Sequence, residues 1–329
     1  MTATGIGSLP GDDIDAALGL VFGELPDLPH LPELPARGPG ADMVGRTAAA
    51  LADLHVDLQP SGWRLVARPG MDERRADEYL ERDLDALVPI AGTHDGALKL
   101  QLAGPWTLAA TLQTTRGPVL ADPGATRDVV ASLAETVRLH LADVVRRAPH
   151  ARLVLQLDEP ALPAVLAGSV PTASGFGNIR AVEPSVVRAA LADVVAAAGD
   201  VEVAVHCCAA DVPLALLASA GAAAASVDLA VAKLDHDVIG EQVEAGLKLW
   251  LGVVPALGPG VPPVVRDVVA PVRRLWRDLG FAPERLPETV VLTPACGLAG
   301  ASEGWVRTAL RLVRQAAHVI AEAPEVVAQ

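Results

Sequence analysis

The chain has 329 residues, of which 51% are hydrophobic and 20% are charged. Its net charge of −14 repels phosphate backbones and argues against a nucleic-acid partner. The N-terminus lacks the basic residues followed by an apolar segment that are typical of a signal peptide. No uninterrupted apolar run is long enough to span a bilayer. We therefore expect a cytoplasmic protein without membrane contact. The three cysteines are too few for a disulfide framework, which indicates a reducing compartment.

Hydrophobic periodicity predicts alternating strands and helices in the first third of the chain. A helix over residues 14–24 has Asp12 or Asp13 as its N-cap. The proline-rich segment 25–40 is predicted to be irregular, either a functional loop or a rigid surface strap, because prolines lack the N–H that regular structure needs. The other elements predicted here are a strand near residue 4, a helix over 42–58, a strand over 63–67, a helix over 73–90 and a strand over 97–102.

The same alternation continues to the end of the chain. The predicted strands cover residues 152–157, 203–208, 223–229, 247–254 and 290–294. The predicted helices cover residues 125–147, 183–198, 214–220, 239–246, 264–279 and 302–321.

Eight strands that alternate with helices predict a parallel sheet. Eight such units in about 300 residues fit an α/β fold of the (β/α)₈ TIM-barrel type, with long loops after the early strands. We therefore predict one barrel domain over residues 1–329. An open doubly wound sheet is the alternative, but Gly5-Ile6-Gly7 lacks the third glycine of a phosphate-binding turn.

One strand ends in a pattern typical of a metal site. Side chains alternate along a strand, so His206 and Cys208 share a face and Cys207 points the other way. Cys296 closes another apolar run. Imidazole and thiolate ligands together favour zinc. Buried cysteines also serve as small core residues, and this is the interpretation we give Cys207.

Other predicted strand ends carry polar residues where a barrel places its active site. Asp158 and Asp228 directly follow apolar runs and are predicted to point into the barrel mouth. Glu159 is better interpreted as a helix cap or loop anchor. Ser8 and the Gly104-Pro105-Trp106 turn lie at two further strand ends.

In this order, the motifs resemble those of the catalytic domain of cobalamin-independent methionine synthase. They are Ile6-Gly7-Ser8, Asp42-Met43-Val44, Gly104-Pro105, Asp158-Glu159-Pro160-Ala161-Leu162, His206-x-Cys208 and Pro294-x-Cys296-Gly297-Leu298. The resemblance implies Zn²⁺ held by the His-x-Cys pair, the late cysteine and a glutamate whose place falls near Asp228. It also implies that an amino-acid substrate contacts the residues Ile6, Gly7, Ser8, Asp158 and, less well matched in spacing, Glu33.

The chain departs from that family on the side of the methyl donor. The family's pterin-binding glutamate corresponds to Ala164, and its tryptophan falls near Thr111 rather than at Trp106. The family's proton-donating histidine would fall in residues 253–257, which contain none. Arg64 stands near the family's folate-contacting arginine. The resemblance therefore keeps the thiol-activating residues and loses much of the folate site.

These features predict a zinc-dependent methyltransferase that methylates homocysteine or a similar small thiol, with no catalytic residue beyond the zinc site. The methyl donor is either a methyl-corrinoid protein or methyltetrahydrofolate, and the missing histidine favours the corrinoid. Alternatives are a uroporphyrinogen decarboxylase-like corrinoid/thiol methyltransferase, a barrel zinc hydrolase and a degenerate, non-catalytic zinc-binding barrel.

Overall fold

The computed structural model describes residues 1–325. Its strands are β1 (Thr2–Ala3), β2 (His55–Gln59), β3 (Gly62–Val66), β4 (Ala97–Ala103), β5 (Gln113–Thr114), β6 (Gly117–Pro118), β7 (Arg152–Asp158), β8 (Glu202–Cys207), β9 (Ala224–Asp228), β10 (Lys248–Val254) and β11 (Val290–Pro294). Its α-helices are α1 (Ile14–Glu24), α2 (Met43–Ala49), α3 (Met71–Ala91), α4 (Pro105–Thr111), α5 (Pro123–Arg147), α6 (Leu162–Ala167), α7 (Pro184–Ala196), α8 (Leu214–Ser219), α9 (His236–Glu244), α10 (Val265–Asp278), α11 (Leu286–Thr289) and α12 (Glu303–Glu322).

Seven parallel strands form a curled sheet in the order β1-β11-β10-β9-β8-β7-β4. The gap between β4 and the extended chain after β1 is bridged by residues 28–33. The N–H of Leu31 donates to the Lys99 carbonyl, and the N–H of Glu33 donates to the Gly7 carbonyl, over 3.0 and 3.2 Å. Isolated parallel bridges pair His30 with Lys99 and Ser8 with Glu33. The predicted (β/α)₈ barrel is confirmed, with this segment in its second position.

The sequence placed the barrel's second strand at 63–67, but that position is filled by the proline-rich segment, which, as predicted, forms no regular strand. The proline-rich segment is a wall of the barrel, because the pairings use the N–H groups of Leu31 and Glu33 and none needs a proline nitrogen. The predicted strand at 63–67 exists as β3, but it pairs antiparallel with β2 in a separate sheet of order β2-β3-β5-β6. The helix predicted over 42–58 stops at Ala49, and β2 takes its last residues.

The helices surround the barrel, and most of their predicted bounds are confirmed within a few residues. Asp13 caps α1 by accepting from the Ala16 N–H at 3.1 Å. Asp42, from the Asp-Met-Val motif, caps α2 by accepting from the N–H groups of Val44 and Gly45. Ser302 caps α12 by accepting from the Trp305 N–H. In residues 1–325, no helix combines the length and apolarity needed to cross a bilayer.

The barrel interior is layered because residues two apart on a strand face the same side. A lower layer of six apolar side chains forms a cluster separate from the main core: Leu28, Ala97, Val154, Ala204, Ala224 and Trp250. Two residues further along the chain, towards the carboxyl ends, lies a buried polar layer: His30, Lys99, Gln156, His206 and Ser226. One step further, at the barrel mouth, lie Gln101, Asp158, Cys208 and Asp228. The site therefore lies on a polar floor above an apolar plug.

Candidate metal and amino-acid site

Three predicted metal ligands meet at the barrel mouth. His206 ends the inward face of β8, Cys208 follows that strand, and Cys296 lies two residues after β11. One potential ligand atom from each lies within 4.8 Å of the others. The Cys208 and Cys296 sulfurs are 3.5 Å apart, and both thiols are free. A tetrahedral zinc with Zn–S bonds of about 2.3 Å separates two sulfurs by about 3.8 Å, so this spacing fits a shared ion.

The histidine is oriented for metal binding. Its Nδ1 lies 2.9 Å from the Ser226 hydroxyl oxygen, one strand away on β9. Its Nε2 is buried and has no hydrogen-bond partner in the described chain. An unpaired buried nitrogen is costly unless something binds it. Donation from Nδ1–H to Ser226 leaves the Nε2 lone pair free for an ion, which is the usual arrangement of a metal-ligating histidine.

The two thiols differ in their affinity for a proton. The Cys208 thiol and the His206 imidazole lower the pKa of Cys296 to about 4. The contact with Cys296, together with burial, raises the pKa of Cys208. Cys296 is therefore the more readily ionised of the two thiols, and a bound cation would favour loss of both protons. Cys207 is fully buried, as the core interpretation predicted.

Asp228, the proposed fourth ligand, is near this group but outside it. It ends β9, and its Oδ1 accepts from the Ala230 N–H at 2.9 Å. Asp228 and Cys296 both line a cavity of about 750 Å³. His236 of α9 and Arg274 of α10 also line this cavity. A ligand role for Asp228 remains a prediction, since its carboxylate is not part of the three-residue cluster.

The predicted amino-acid turn lies directly beside the metal cluster. Ser8 O accepts from the Leu298 N–H at 2.7 Å, which ties the turn to the loop that carries Cys296. Gly297 packs closely on this turn, because a Cβ at that position would force the Ser8 hydroxyl to move. The N–H groups of Gly7 and Ser8 donate to no protein acceptor among residues 1–325. Two free N–H groups in one turn can bind a carboxylate.

Two buried carboxylates face the same space. Glu33 and Asp158 are only 3% and 4% exposed. Burial raises the pKa of Glu33 to about 7, and Arg46 acts against the shift. Burial likewise raises the pKa of Asp158 to about 6, and His206 and Lys99 act against it. Two carboxylates with raised pKa values at a barrel mouth are suited to receive an ammonium group.

Glu159, the neighbour of Asp158, is structural, as predicted. Its carboxylate accepts from the N–H groups of Trp106 and Thr107, at 2.9 and 2.7 Å, and from the Thr107 hydroxyl at 2.8 Å. These donors lie at the start of α4, so Glu159 anchors that helix to the end of β7. Adjacent carboxylates thus have different surroundings: one is saturated by a helix start and the other faces the barrel mouth.

The positions compared with the family's methyl-donor site lie on three elements, α4, β3 and α6. Trp106 is 1% exposed, and its indole N–H donates to the Val187 carbonyl at 3.1 Å. It is therefore a packing residue. Arg64 lies on β3, where it pairs with Gln113 of β5 in the side sheet. Ala164 is on the short helix α6.

Sequence reasoning missed the polar layer beneath the site. Lys99, Gln156 and Ser226 are all fully buried. The signal was present in the strand sequences, since Lys99-Leu-Gln101 and Gln156-Leu-Asp158 alternate polar and apolar residues inside otherwise apolar runs. In a barrel strand covered outside by helices, such alternation places the polar set in the interior.

The fold and the site together define an α/β barrel that carries an imidazole and two thiols at the carboxyl ends of its strands. The sequence model of the cobalamin-independent synthase catalytic domain matches residues 92–319. This match spans more than half of the chain, so the chain belongs to that family. No curated protein sequence matches it.

Solved structures share the fold. A B12-independent methionine synthase from Shewanella sp. W3-18-1, in complex with selenomethionine, superposes with a TM-score of 0.64 at 13% identity, covering 97% of each chain. A methyltransferase from Methanosarcina mazei gives a TM-score of 0.59 at 13% identity, covering 98% of this chain and 93% of that one. Identities this low support the fold alone.

Proposed function

We propose that the chain is a zinc-dependent methyltransferase whose acceptor is homocysteine or a similar amino-acid thiol. The observation that carries this proposal is the meeting of His206, Cys208 and Cys296 at the barrel mouth, where the loop after Cys296 binds the Ser8 turn. Membership of the cobalamin-independent synthase family supports methyl transfer as the reaction. The selenomethionine complex of the Shewanella protein supports an amino-acid substrate with a chalcogen atom.

The metal part of the site depends on three residues. His206, Cys208 and Cys296 would hold Zn²⁺, with Asp228 as our proposed fourth ligand. Bound zinc would supply the positive charge that keeps an incoming thiol ionised at neutral pH. The Ser226 hydroxyl holds the His206 ring in the required orientation. The two sulfurs are only partly buried, so a thiol can approach them from the barrel mouth.

The amino-acid part uses both ends of the substrate. The free N–H groups of Gly7 and Ser8 would bind its carboxylate, with Ile6 completing the turn. The Asp158 and Glu33 carboxylates would bind its ammonium group. An ammonium between them favours their ionised forms, although burial alone raises both pKa values. Binding at both ends directs the side-chain sulfur towards Cys296.

The choice of methyl donor depends on whether its leaving group needs a proton. A sulfur lone pair forms the new S–C bond while the bond from carbon to the donor breaks, and its electron pair stays on the donor. A tetrahydrofolate amine then needs a proton, and residues 253–257, where the resemblance places the donor histidine, hold none, so that His236, which lines the same cavity as Cys296, would have to supply it. The cobalt of a corrinoid keeps the pair without a proton. We therefore propose a methyl-corrinoid protein as donor, with methyltetrahydrofolate as the alternative.

The test is methionine formation from L-homocysteine by the zinc-loaded protein, with methylcobalamin or methyltetrahydrofolate as donor. We expect transfer from methylcobalamin by the wild type and by Cys207→Ala, the matched control, and none by Cys296→Ala. Faster transfer from methyltetrahydrofolate would contradict the donor assignment. No transfer from either donor, with zinc bound, would instead favour the non-catalytic zinc-binding barrel.

A further inference from the structure

The buried lysine of the polar layer has no role in the proposed chemistry. Lys99 is fully buried inside the barrel. Its ammonium donates to the Ile6 carbonyl at 2.7 Å and to Gln156 Oε1 at 2.8 Å, with Gln101 Oε1 at 3.4 Å. Burying an ammonium is expensive, and a barrel interior of this size could be filled with apolar side chains instead. The hydrogen bonds of this ammonium therefore need a functional explanation.

One of its contacts fixes the substrate-binding turn. The Ile6 carbonyl accepts from Lys99 and also from Gln156 Nε2, the latter at 2.9 Å. The Ile6 carbonyl and the Gly7 N–H belong to one planar trans peptide and point in opposite directions. Drawing the carbonyl down into the polar layer therefore turns the Gly7 N–H away from that layer, towards the mouth, where the turn offers its free N–H groups.

Its second contact fixes the carboxylate. An ammonium can only donate, so Gln156 must present its amide oxygen to Lys99. The amide nitrogen of Gln156 is then directed at Ile6 and at Asp158 Oδ1, which it reaches at 2.7 Å. Gln156 therefore links Lys99 to Asp158, because its amide oxygen accepts from the ammonium while its amide nitrogen donates to the carboxylate.

Its charge matches the site as well. Glu33 and Asp158 are two buried carboxylates, whereas an amino acid brings one ammonium. Burial lowers the pKa of Lys99 to about 7, and Asp158 and Glu33 act against the shift. Lys99 in turn acts against the raised pKa of both carboxylates. The attraction between the ammonium and the two carboxylates therefore opposes the effect of burial on all three groups.

We propose that Lys99 is a positioning residue for the amino-acid end of the substrate. It holds the Ile6 carbonyl and, through Gln156, the Asp158 carboxylate, so that the turn and the acid face the same ligand. This role rests on the proposed function, since it assumes an amino-acid thiol at the mouth. It predicts selectivity between thiols that have an amino acid's charged groups and thiols that lack them.

The test is thiol binding to the Co²⁺-substituted protein, followed by the thiolate-to-cobalt charge-transfer band. Titrations with L-homocysteine and with 2-mercaptoethanol separate the amino-acid contribution from metal ligation. In Lys99→Met, we expect the Kd for L-homocysteine to rise roughly tenfold to a hundredfold, as for loss of hydrogen bonds that involve charged groups, and the Kd for 2-mercaptoethanol to stay unchanged. Lys233→Met, which removes an exposed lysine paired with Asp211, is the control and should change neither value.

A second variant decides the matter if Lys99→Met does not fold. Gln156→Glu keeps an acceptor for Lys99 but removes the N–H donors to Ile6 and Asp158. It should therefore also raise the Kd for L-homocysteine and leave the Kd for 2-mercaptoethanol unchanged. An equal rise of the Kd for both thiols, or an unchanged Kd for L-homocysteine in a folded variant, would overturn the role of Lys99. A wild-type protein whose cobalt band responds to 2-mercaptoethanol but not to L-homocysteine would overturn the proposed substrate and this role with it. A band that responds to neither thiol would overturn the proposed thiol activation itself.

Discussion

Two neighbouring layers of the same barrel have opposite character. The lower one, around Trp250, Ala204 and Ala224, is apolar and forms its own cluster of buried side chains. The upper one, two residues further along the same strands, carries Lys99, Gln156, His206 and Ser226, all buried. Burial is the same in both layers, so it cannot explain the difference in residue type.

The comparison separates residues kept for stability from residues kept for the site. In the lower layer a single large ring fills the space left by small alanines, which gives dense packing without polar atoms. In the upper layer the polar groups point at two places: Ser226 at His206, and Lys99 with Gln156 at Ile6 and Asp158. The polar layer therefore contacts both parts of the site: Ser226 contacts the predicted metal ligand His206, and Lys99 and Gln156 contact the amino-acid turn.

The largest effect is expected from the lower layer. Trp250→Ala leaves a cavity in the apolar plug and should lower the free energy of unfolding by about 3–5 kcal/mol, measured by chemical denaturation. The protein that remains folded should still bind one zinc per chain. Phe176→Ala, at a ring that is 98% exposed, is the control and should leave stability unchanged. Full stability with loss of zinc would contradict the division between the layers.

A substitution in the upper layer is expected to lower zinc affinity more than it lowers stability. Ser226→Ala removes the partner of His206 Nδ1, so zinc affinity should fall about tenfold to a hundredfold, as measured by competition with a chelator. The free energy of unfolding of the metal-free protein should change much less than it does in Trp250→Ala. Ser219→Ala, at the end of α8, should leave zinc affinity unchanged. A Ser226 variant with wild-type affinity would show that the hydroxyl does not orient the ring.

The sequence alone predicted the parts of this structure that depend on local pattern. Alternation along one strand placed His206 and Cys208 on the same face, and the ends of parallel strands brought Cys296 to them. Seven of the eight predicted barrel strands lie in the parallel sheet. The anchoring role of Glu159 was also predicted, although the helix it anchors is α4, far away in sequence.

What the sequence hid depends on distant partners. Residues 28–33 are extended only because β4 and the chain after β1 leave a gap that they fill, and nothing in their proline spacing indicates it. The strand-like 63–67 stretch pairs locally with β2 instead, a choice that period-two alternation cannot decide. In the sequence, nothing distinguishes Lys99 from an ordinary charged residue. Its role depends on Ile6 and Gln156, which are far away in sequence and accept hydrogen bonds from its ammonium.

The central claim is that the three-ligand cluster binds zinc and presents it to a thiol. The most direct measurement is zinc content per chain together with X-ray absorption at the zinc edge, with and without L-homocysteine, for the wild type, Cys296→Ser and Cys207→Ala. We expect one zinc per chain in the wild type and in Cys207→Ala, loss of zinc in Cys296→Ser, and one more sulfur neighbour of zinc when L-homocysteine is added. Absence of zinc, or zinc whose sulfur count does not change with L-homocysteine, would contradict the account.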